Sequence, residues 1–287
     1  MKIGQNASRT QAALVAAAAL LAPASAFAGA SDTYYERAFV VAADARCDLF
    51  QPQVGRALDA ATAQARGAAL RSGTSPADLA AVAARARARA GAVSCADPQL
   101  ATVRDRVDGA FAGWARTSRM TFPGDRAHWV ANRTGYARPT WRLHQTSAIG
   151  ASPVAFGLAG KDQAASDLTA VVSWYGRPRP YAARIVLRDP SKLPRPWLAG
   201  DNLAPESARA SLWATGVSTA DATLLSDGKR DGDAWRFPAS AAAALEKLDP
   251  RESFAIEFHF RDGSVATVPF EAGDFTAGRA FLAMGVL

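Results

Sequence analysis

Two cysteines, Cys47 and Cys95, are the only ones in the chain, and what lies before and between them decides whether they are joined. The first 28 residues carry the marks of export. Lys2 and Arg9 give a basic start, Ala12 to Ala22 is uninterrupted and apolar, and Pro23 follows. Ala26 and Ala28 then flank Phe27 just before Gly29, as small residues do at a cleavage site. The apolar run is too short to cross a bilayer, so residues 1–28 read as a signal peptide. Exported chains meet an oxidising compartment, where two lone cysteines favour a structural bridge. A metal site would need more ligands, and His128, His144 and His259 are scattered without ligand spacing. No cofactor and no metal are expected. No later apolar run is long enough to span a membrane, so the mature chain is expected in the periplasm or outside the cell.

Helix punctuation surrounds both cysteines. Asp32 to Phe50 carries Tyr35, Phe39 and Ala42 at three-and-four spacing before Cys47. Pro52 suits the first turn of a second helix, with Val54, Leu58, Ala61 and Ala65 on one face and Gly73 as its stop. Ser75, Pro76 and Asp78 start a third helix, which carries Leu79, Val82, Ala86 and Val93. Asp97 and Pro98 open a fourth, with Leu100, Val103, Val107, Phe111 and Trp114 as an apolar stripe. Short connections favour antiparallel neighbours. In an up-and-down arrangement the C-terminal ends of the first and third helices share one end, and those ends hold Cys47 and Cys95. Much of the inner face is alanine, which buries little area per residue, and a covalent staple would compensate.

The pattern changes near Met120. Residues 121–140 contain Pro123, Gly124, Gly135 and Pro139 with no sustained period, and read as a linker. Beyond it, short β-branched and aromatic segments predict strands at Trp141–Gln145, Val154–Leu158, Leu168–Tyr175, Ala182–Leu187, Ala208–Thr215 and Ala222–Leu225. The sharpest signal comes last. Phe254, Ile256, Phe258 and Phe260 alternate with other residues, Asp262 and Gly263 supply a turn, and Val265 to Phe270 returns. Short helices are predicted on either side, at Pro238–Leu248 and Phe275–Met284. The expected class is α+β. A disulfide-stapled antiparallel four-helix module, 32–120, precedes a mostly antiparallel β domain, 141–287, sandwich or barrel-like with short helices.

That closing unit, with Gly273, Asp274, Phe275, Thr276 and Ala277 entering the last helix, resembles the end of the invasion-associated locus B family of small exported β-rich proteins. The likeness covers roughly the last fifty residues. The family's β domain usually carries cysteine pairs, whereas here both cysteines lie in the helical half. The resemblance implies an envelope or secreted protein and transfers no catalytic residue. The chain as a whole, with Glu36, Arg37 and Ala38 ahead of Ala43 to Cys47, is similar to exported proteins of alphaproteobacteria.

A search for chemistry finds little. Ser75, Ser152 and Ser218 have the first glycine of a nucleophile elbow and lack the second. Ser226 and Lys229 match Ser-x-x-Lys but sit in a turn sequence, and Asp227, Asp231 and Asp233 are interrupted by Lys229 and Arg230, against a calcium loop. Glu246, Glu252, Glu257 and Glu271 could pair for glycoside hydrolysis, which the linear order leaves open. The chain holds 33 Lys and Arg against 26 Asp and Glu, a net charge of +7 that favours anionic surfaces gently. Export argues against a nucleic-acid partner.

One functional pattern stands out. Trp129, Arg133, Tyr136, Arg138, Trp141 and Arg142 interleave rings with arginines, and Trp174, Tyr175, Arg177, Arg179 and Tyr181 do so again. Rings stack on sugar faces and guanidinium forks pair with carboxylates or phosphates, so these two groups are candidate ligand-binding residues for an anionic envelope glycan. The bland alternative makes the tryptophans core anchors with arginines capping their edges. The leading expectation is a non-enzymatic envelope protein that binds a glycan or another envelope protein. A hydrolase acting on peptidoglycan or polysaccharide, and a chaperone-like or inhibitory module, are the alternatives.

Overall fold

The computed structural model describes residues 29–161, 168–176, 178–200 and 202–287; the predicted signal peptide lies outside the described residues. Four helices open it: α1 (Ala30–Cys47), α2 (Pro52–Arg71), α3 (Pro76–Ala92) and α4 (Pro98–Ala115). Their starts follow the predicted punctuation. Proline stands in the first turn of α2, α3 and α4, and the Ser75 and Asp97 side chains accept from the backbone N–H of Asp78 and Gln99.

Cys47 and Cys95 are bonded, with 5.5 Å between their Cα atoms. The bridge closes one end of an α1–α3 pair that runs parallel. At the opposite end the Ser31 and Thr74 hydroxyls are 2.9 Å apart, and beside the bridge Arg46 donates to the carbonyls of Gly91 and Val93. α2 runs against both, and Arg37 of α1 donates to the Ala61 carbonyl. The buried positions of α2 and α3 are mostly alanine, with Leu58, Leu70, Leu79 and Val82 as the large exceptions. Alanine lets the helices approach closely and leaves little apolar area per residue to hold them.

Two open antiparallel sheets follow. The larger has the order β1-β2-β3-β4-β5-β9-β8, from β1 (Arg119–Phe122), β2 (Trp129–Asn132), β3 (Thr140–Ile149), β4 (Ser152–Gly160), β5 (Leu168–Val172), β8 (Gly216–Thr219) and β9 (Asp233–Arg236). The smaller has the order β11-β10-β6-β7, from β6 (Ala182–Arg188), β7 (Arg209–Trp213), β10 (Ser253–His259) and β11 (Val265–Glu271). They face each other across a phenylalanine core, in which Phe156 of β4 meets Phe254 of β10 at 5.5 Å and Phe270 of β11 at 5.4 Å. The chain passes from β7 at the edge of one sheet to β8 at the edge of the other, which stitches one corner. The predicted hairpin is β10 and β11, and its turn places Gly263 at φ +82, where a side chain would be strained.

Three expectations need correction. The stretch read as a linker, 121–140, holds the second half of β1, all of β2 and the first residue of β3, so it is part of the larger sheet. Strands of four residues carry too little alternation to read. The loop between them is ordered from a distance, because the Glu271 carboxylate accepts from the backbone N–H groups of Asp125, Arg126 and Ala127 at 2.7 to 3.0 Å. Ala222–Leu225 is not a strand; Ala222–Leu224 is a 3-10 turn capped by Asp221. β8 and β9 were not predicted, since Gly216–Thr219 and Asp233–Arg236 are short and partly polar.

The helical and β halves share one core. α5 (Ser240–Leu245) precedes β10, and α6 (Phe275–Leu282) follows β11. α6 lies against β1, β2 and β3 on one side and α2 on the other. Phe281 meets Phe122 at 5.7 Å and Phe275 meets Trp129 at 4.9 Å. On the α2 side, Gly67 leaves room for Asp274, which is ion-paired with Arg71. Burial holds the Asp274 carboxyl above its ordinary pKa, against the pull of Arg71.

Candidate functional site

The interleaved rings and arginines are mostly structural. Trp129 is fully buried and its indole N–H donates to the Ala272 carbonyl at 2.9 Å. Arg133 is buried under the chain end. Its Nε donates to Gly285 at 2.6 Å, its guanidinium stands 5.1 Å from the Phe281 ring, and the Leu287 N–H donates to its carbonyl. Arg142 is buried and donates to the carbonyls of Asn132 and Lys161. Trp174 sets its edge against Phe258 and Phe260 at 5.1 and 5.4 Å. Trp141 lies on the other face of the larger sheet, under the 3-10 turn, where it donates to the Leu224 carbonyl at 3.0 Å and stacks on His144 at 5.4 Å. Buried rings and guanidiniums of this kind cannot reach a ligand. Tyr136, Tyr175, Arg138 and Arg179 are exposed, Arg138 being paired with Asp221 and Arg179 standing 3.7 Å from Asp233. Arg177 lies outside the described residues.

A different set does converge, on the outer face of the smaller sheet. In β6 the inward positions are Ala183, Ile185 and Leu187, which turns Arg184 outward; in β10, Phe254, Ile256 and Phe258 point in and turn Glu257 and His259 outward. Register places Arg184 opposite Trp213 on one side and Glu257 on the other. The Arg184 Nε donates to the Glu257 carboxylate at 2.7 Å, and the guanidinium lies 5.2 Å from the Trp213 ring. His259 comes within 5.2 Å of Trp213 and 6.5 Å of Tyr181. The result is a strip of three rings, Trp213, His259 and Tyr181, beside an arginine–glutamate pair. Trp213 of β7 and Tyr181, which directly precedes β6, are 49% and 59% exposed.

Of these residues the sequence marked Tyr181 as a candidate binding ring and Glu257 only as a candidate hydrolytic carboxylate; Arg184 and Trp213 were not marked. Trp213 fell in a predicted strand, but the order β10-β6-β7 brings together segments far apart in the chain. Alternation tells which residues point outward; it does not tell which strands are neighbours.

This face presents groups suited to contact with a ligand. Exposed rings offer apolar faces, and Arg184 keeps N–H groups beyond those it spends on Glu257. The four glutamates considered for hydrolysis are all engaged. Glu252 is buried, pairs with Arg188 at 2.8 Å and accepts from the N–H groups of Trp197 and Asp249. Glu271 holds the β1–β2 loop, Glu246 pairs with Arg279 at 2.9 Å and Glu257 with Arg184. Ser226 and Lys229 lie in a turn closed by the Lys229 N–H on the Ser226 carbonyl, and the Lys229 amine stands over the Tyr175 ring at 6.0 Å.

No family model, curated protein or solved structure matches this chain.

Proposed function

We propose that the protein is exported and acts in the cell envelope by binding a glycan through the outer face of its smaller sheet. The observation that carries this reading is the half-exposed Trp213 ring aligned with His259 and Tyr181. Stacking on the apolar face of a sugar ring is the use such an arrangement fits best. The charges beside it are balanced, since Glu257 offsets Arg184, so ring faces and hydroxyls matter more than net charge. The intramolecular disulfide and the signal-like start both favour an oxidising compartment. Among the described residues no helix is long and apolar enough to cross a membrane.

Sedimentation of the purified protein with cell-wall sacculi and, separately, with lipopolysaccharide across a salt series tests the proposal. Retention at moderate salt is expected from one polymer. Trp213→Ala should weaken it about tenfold, a loss of about 1.4 kcal/mol, while Tyr136→Ala, an exposed ring away from the strip, should leave it unchanged. Equal retention of Trp213→Ala and wild type, with unchanged circular dichroism, refutes the reading.

A further inference from the structure

The helical half holds a cavity that the glycan reading does not use. α3 packs along α1 and α4 packs along α2, and a cleft of about 450 Å³ lies between α1, the end of α3 and α4. That volume is within the range of small-molecule sites, about 300–1,000 Å³, and clefts between helices are among their usual places. α1 supplies Phe39 and Val40 to its floor, and α4 supplies Leu100, Val103 and Val107. These are stripe residues of α4, at three-and-four spacing; Leu100 and Phe111 of that stripe are buried in the core, and its half-buried Val103 and Val107 also border the cleft.

The rim is basic. Arg89 comes from α3 and Arg106 from α4, against the single carboxylate of Glu36. The Arg89 guanidinium stands over the Phe39 ring at 5.8 Å, its charge at the edge of the apolar floor. Among the described residues, neither arginine forms an ion pair. An aliphatic floor with two cations at the mouth complements an amphiphile with one unbranched apolar chain and an anionic head. Each methylene moved from water into such a floor is favourable, and a guanidinium pairs well with a carboxylate.

We infer that the cleft between α1, α3 and α4 binds a free fatty acid, chain on the aliphatic floor and carboxylate between Arg89 and Arg106. The inference does not depend on the glycan face, which lies on a different element and can fail or hold separately.

Titration of the oxidised protein with dodecanoate, below its micelle concentration and followed calorimetrically, should give saturable binding with one site. Dodecanol, the same chain without the charge, should bind at least tenfold more weakly. R89A/R106A should weaken dodecanoate at least tenfold and leave dodecanol unchanged. Val103→Glu, which puts a carboxylate on the floor, should weaken both. Both arginines are exposed on helix surfaces, so the double variant is expected to keep its helical circular dichroism. Absence of a saturable site overturns the inference. So does equal binding of dodecanoate by R89A/R106A and wild type, or binding to anionic vesicles with none to monomeric dodecanoate.

Discussion

Removing the Cys47–Cys95 bridge should release α3 before anything else in the molecule. The two cysteines are 48 residues apart in sequence, and closing a loop of that length restricts the unfolded chain by about 4 kcal/mol on the chain-entropy account. Leu79 and Val82 are the only side chains larger than alanine that α3 buries. Their burial is worth about 3–6 kcal/mol in total, comparable with the bridge itself, against an ordering cost of at least about 1 kcal/mol for each helical residue. Those two residues belong to a satellite cluster with Tyr34, Ala65, Ala69, Leu70 and Ala83, apart from the main core. With the bridge gone, α3 keeps that cluster, the contact of Ala90 with the main core, the Arg89–Phe39 contact and the polar contacts at its ends. The test compares wild type with Cys47→Ser/Cys95→Ser by hydrogen exchange and urea unfolding. Amides of residues 76–92 should lose protection by a factor approaching a thousand, the equivalent of about 4 kcal/mol, while those of β10 and β11 change much less. If the α3 amides stay as protected as those of β10, the helix is held by packing and the reasoning is wrong.

Two further outcomes follow from buried positions. Burial, with Arg119 nearby, holds His144 at a pKa of about 4 against 6.5, so the unfolded state takes up a proton more readily and stability present above pH 6.5 is lost as pH falls toward 4, by up to about 3 kcal/mol. Asp274, with its pKa raised, acts in the opposite sense; the readout is therefore the difference between wild type and His144→Gln in urea midpoints from pH 7.5 to 4, which should shrink as pH falls, and a constant difference would contradict it. Gly157 sits where a Cβ would overlap the Leu143 carbonyl oxygen and the His144 Cα, so Gly157→Ala should cost about 3 kcal/mol in a thermal melt, whereas Gly91→Ala, with nothing within 4 Å, should be neutral or gain up to about 1 kcal/mol.

Where the fold was legible, the signal was local. Ser75 with Asp78, Pro52, Asp97 with Pro98, and Asp262 with Gly263 each report on a few adjacent residues, and helix starts and the closing hairpin fell where they indicated. The bridge was legible because two cysteines admit one pairing. What could not be read depends on residues far apart. The β1–β2 loop is fixed by Glu271, so nothing inside 121–140 announces it. The candidate site draws Tyr181 and Arg184 from one segment, Trp213 from a second, and Glu257 and His259 from a third. Proximity in sequence also misled: Trp129 and Arg133 look like part of a binding cluster when written out, yet both are buried. Successive residues on a strand point to opposite faces, so a run rich in rings and arginines does not make a shared surface.

The buried arginines bear on the chain's basic composition as well. Arg133, Arg142 and Arg188 are almost wholly enclosed, and each donates to backbone carbonyls of segments that end or turn. A guanidinium can satisfy several such carbonyls at once, because its donors form a rigid fork and its charge is weakly hydrated. The buried acids work the same way in reverse: Glu271 gathers three N–H groups, and Glu252 gathers two along with Arg188. Charge in the β half therefore serves largely to tie irregular backbone to the sheets, where an unpaired peptide group would be costly. Among the described residues the buried charges are three arginines, Arg133, Arg142 and Arg188, against five acids, Asp233, Asp249, Glu252, Glu271 and Asp274, so burial takes nothing from the net +7. A specific partner has to be recognised by particular groups, the rings of Trp213 and Tyr181 beside the smaller sheet and the guanidiniums of Arg89 and Arg106 in the helical half, since a gentle net positive charge attracts every polyanion alike.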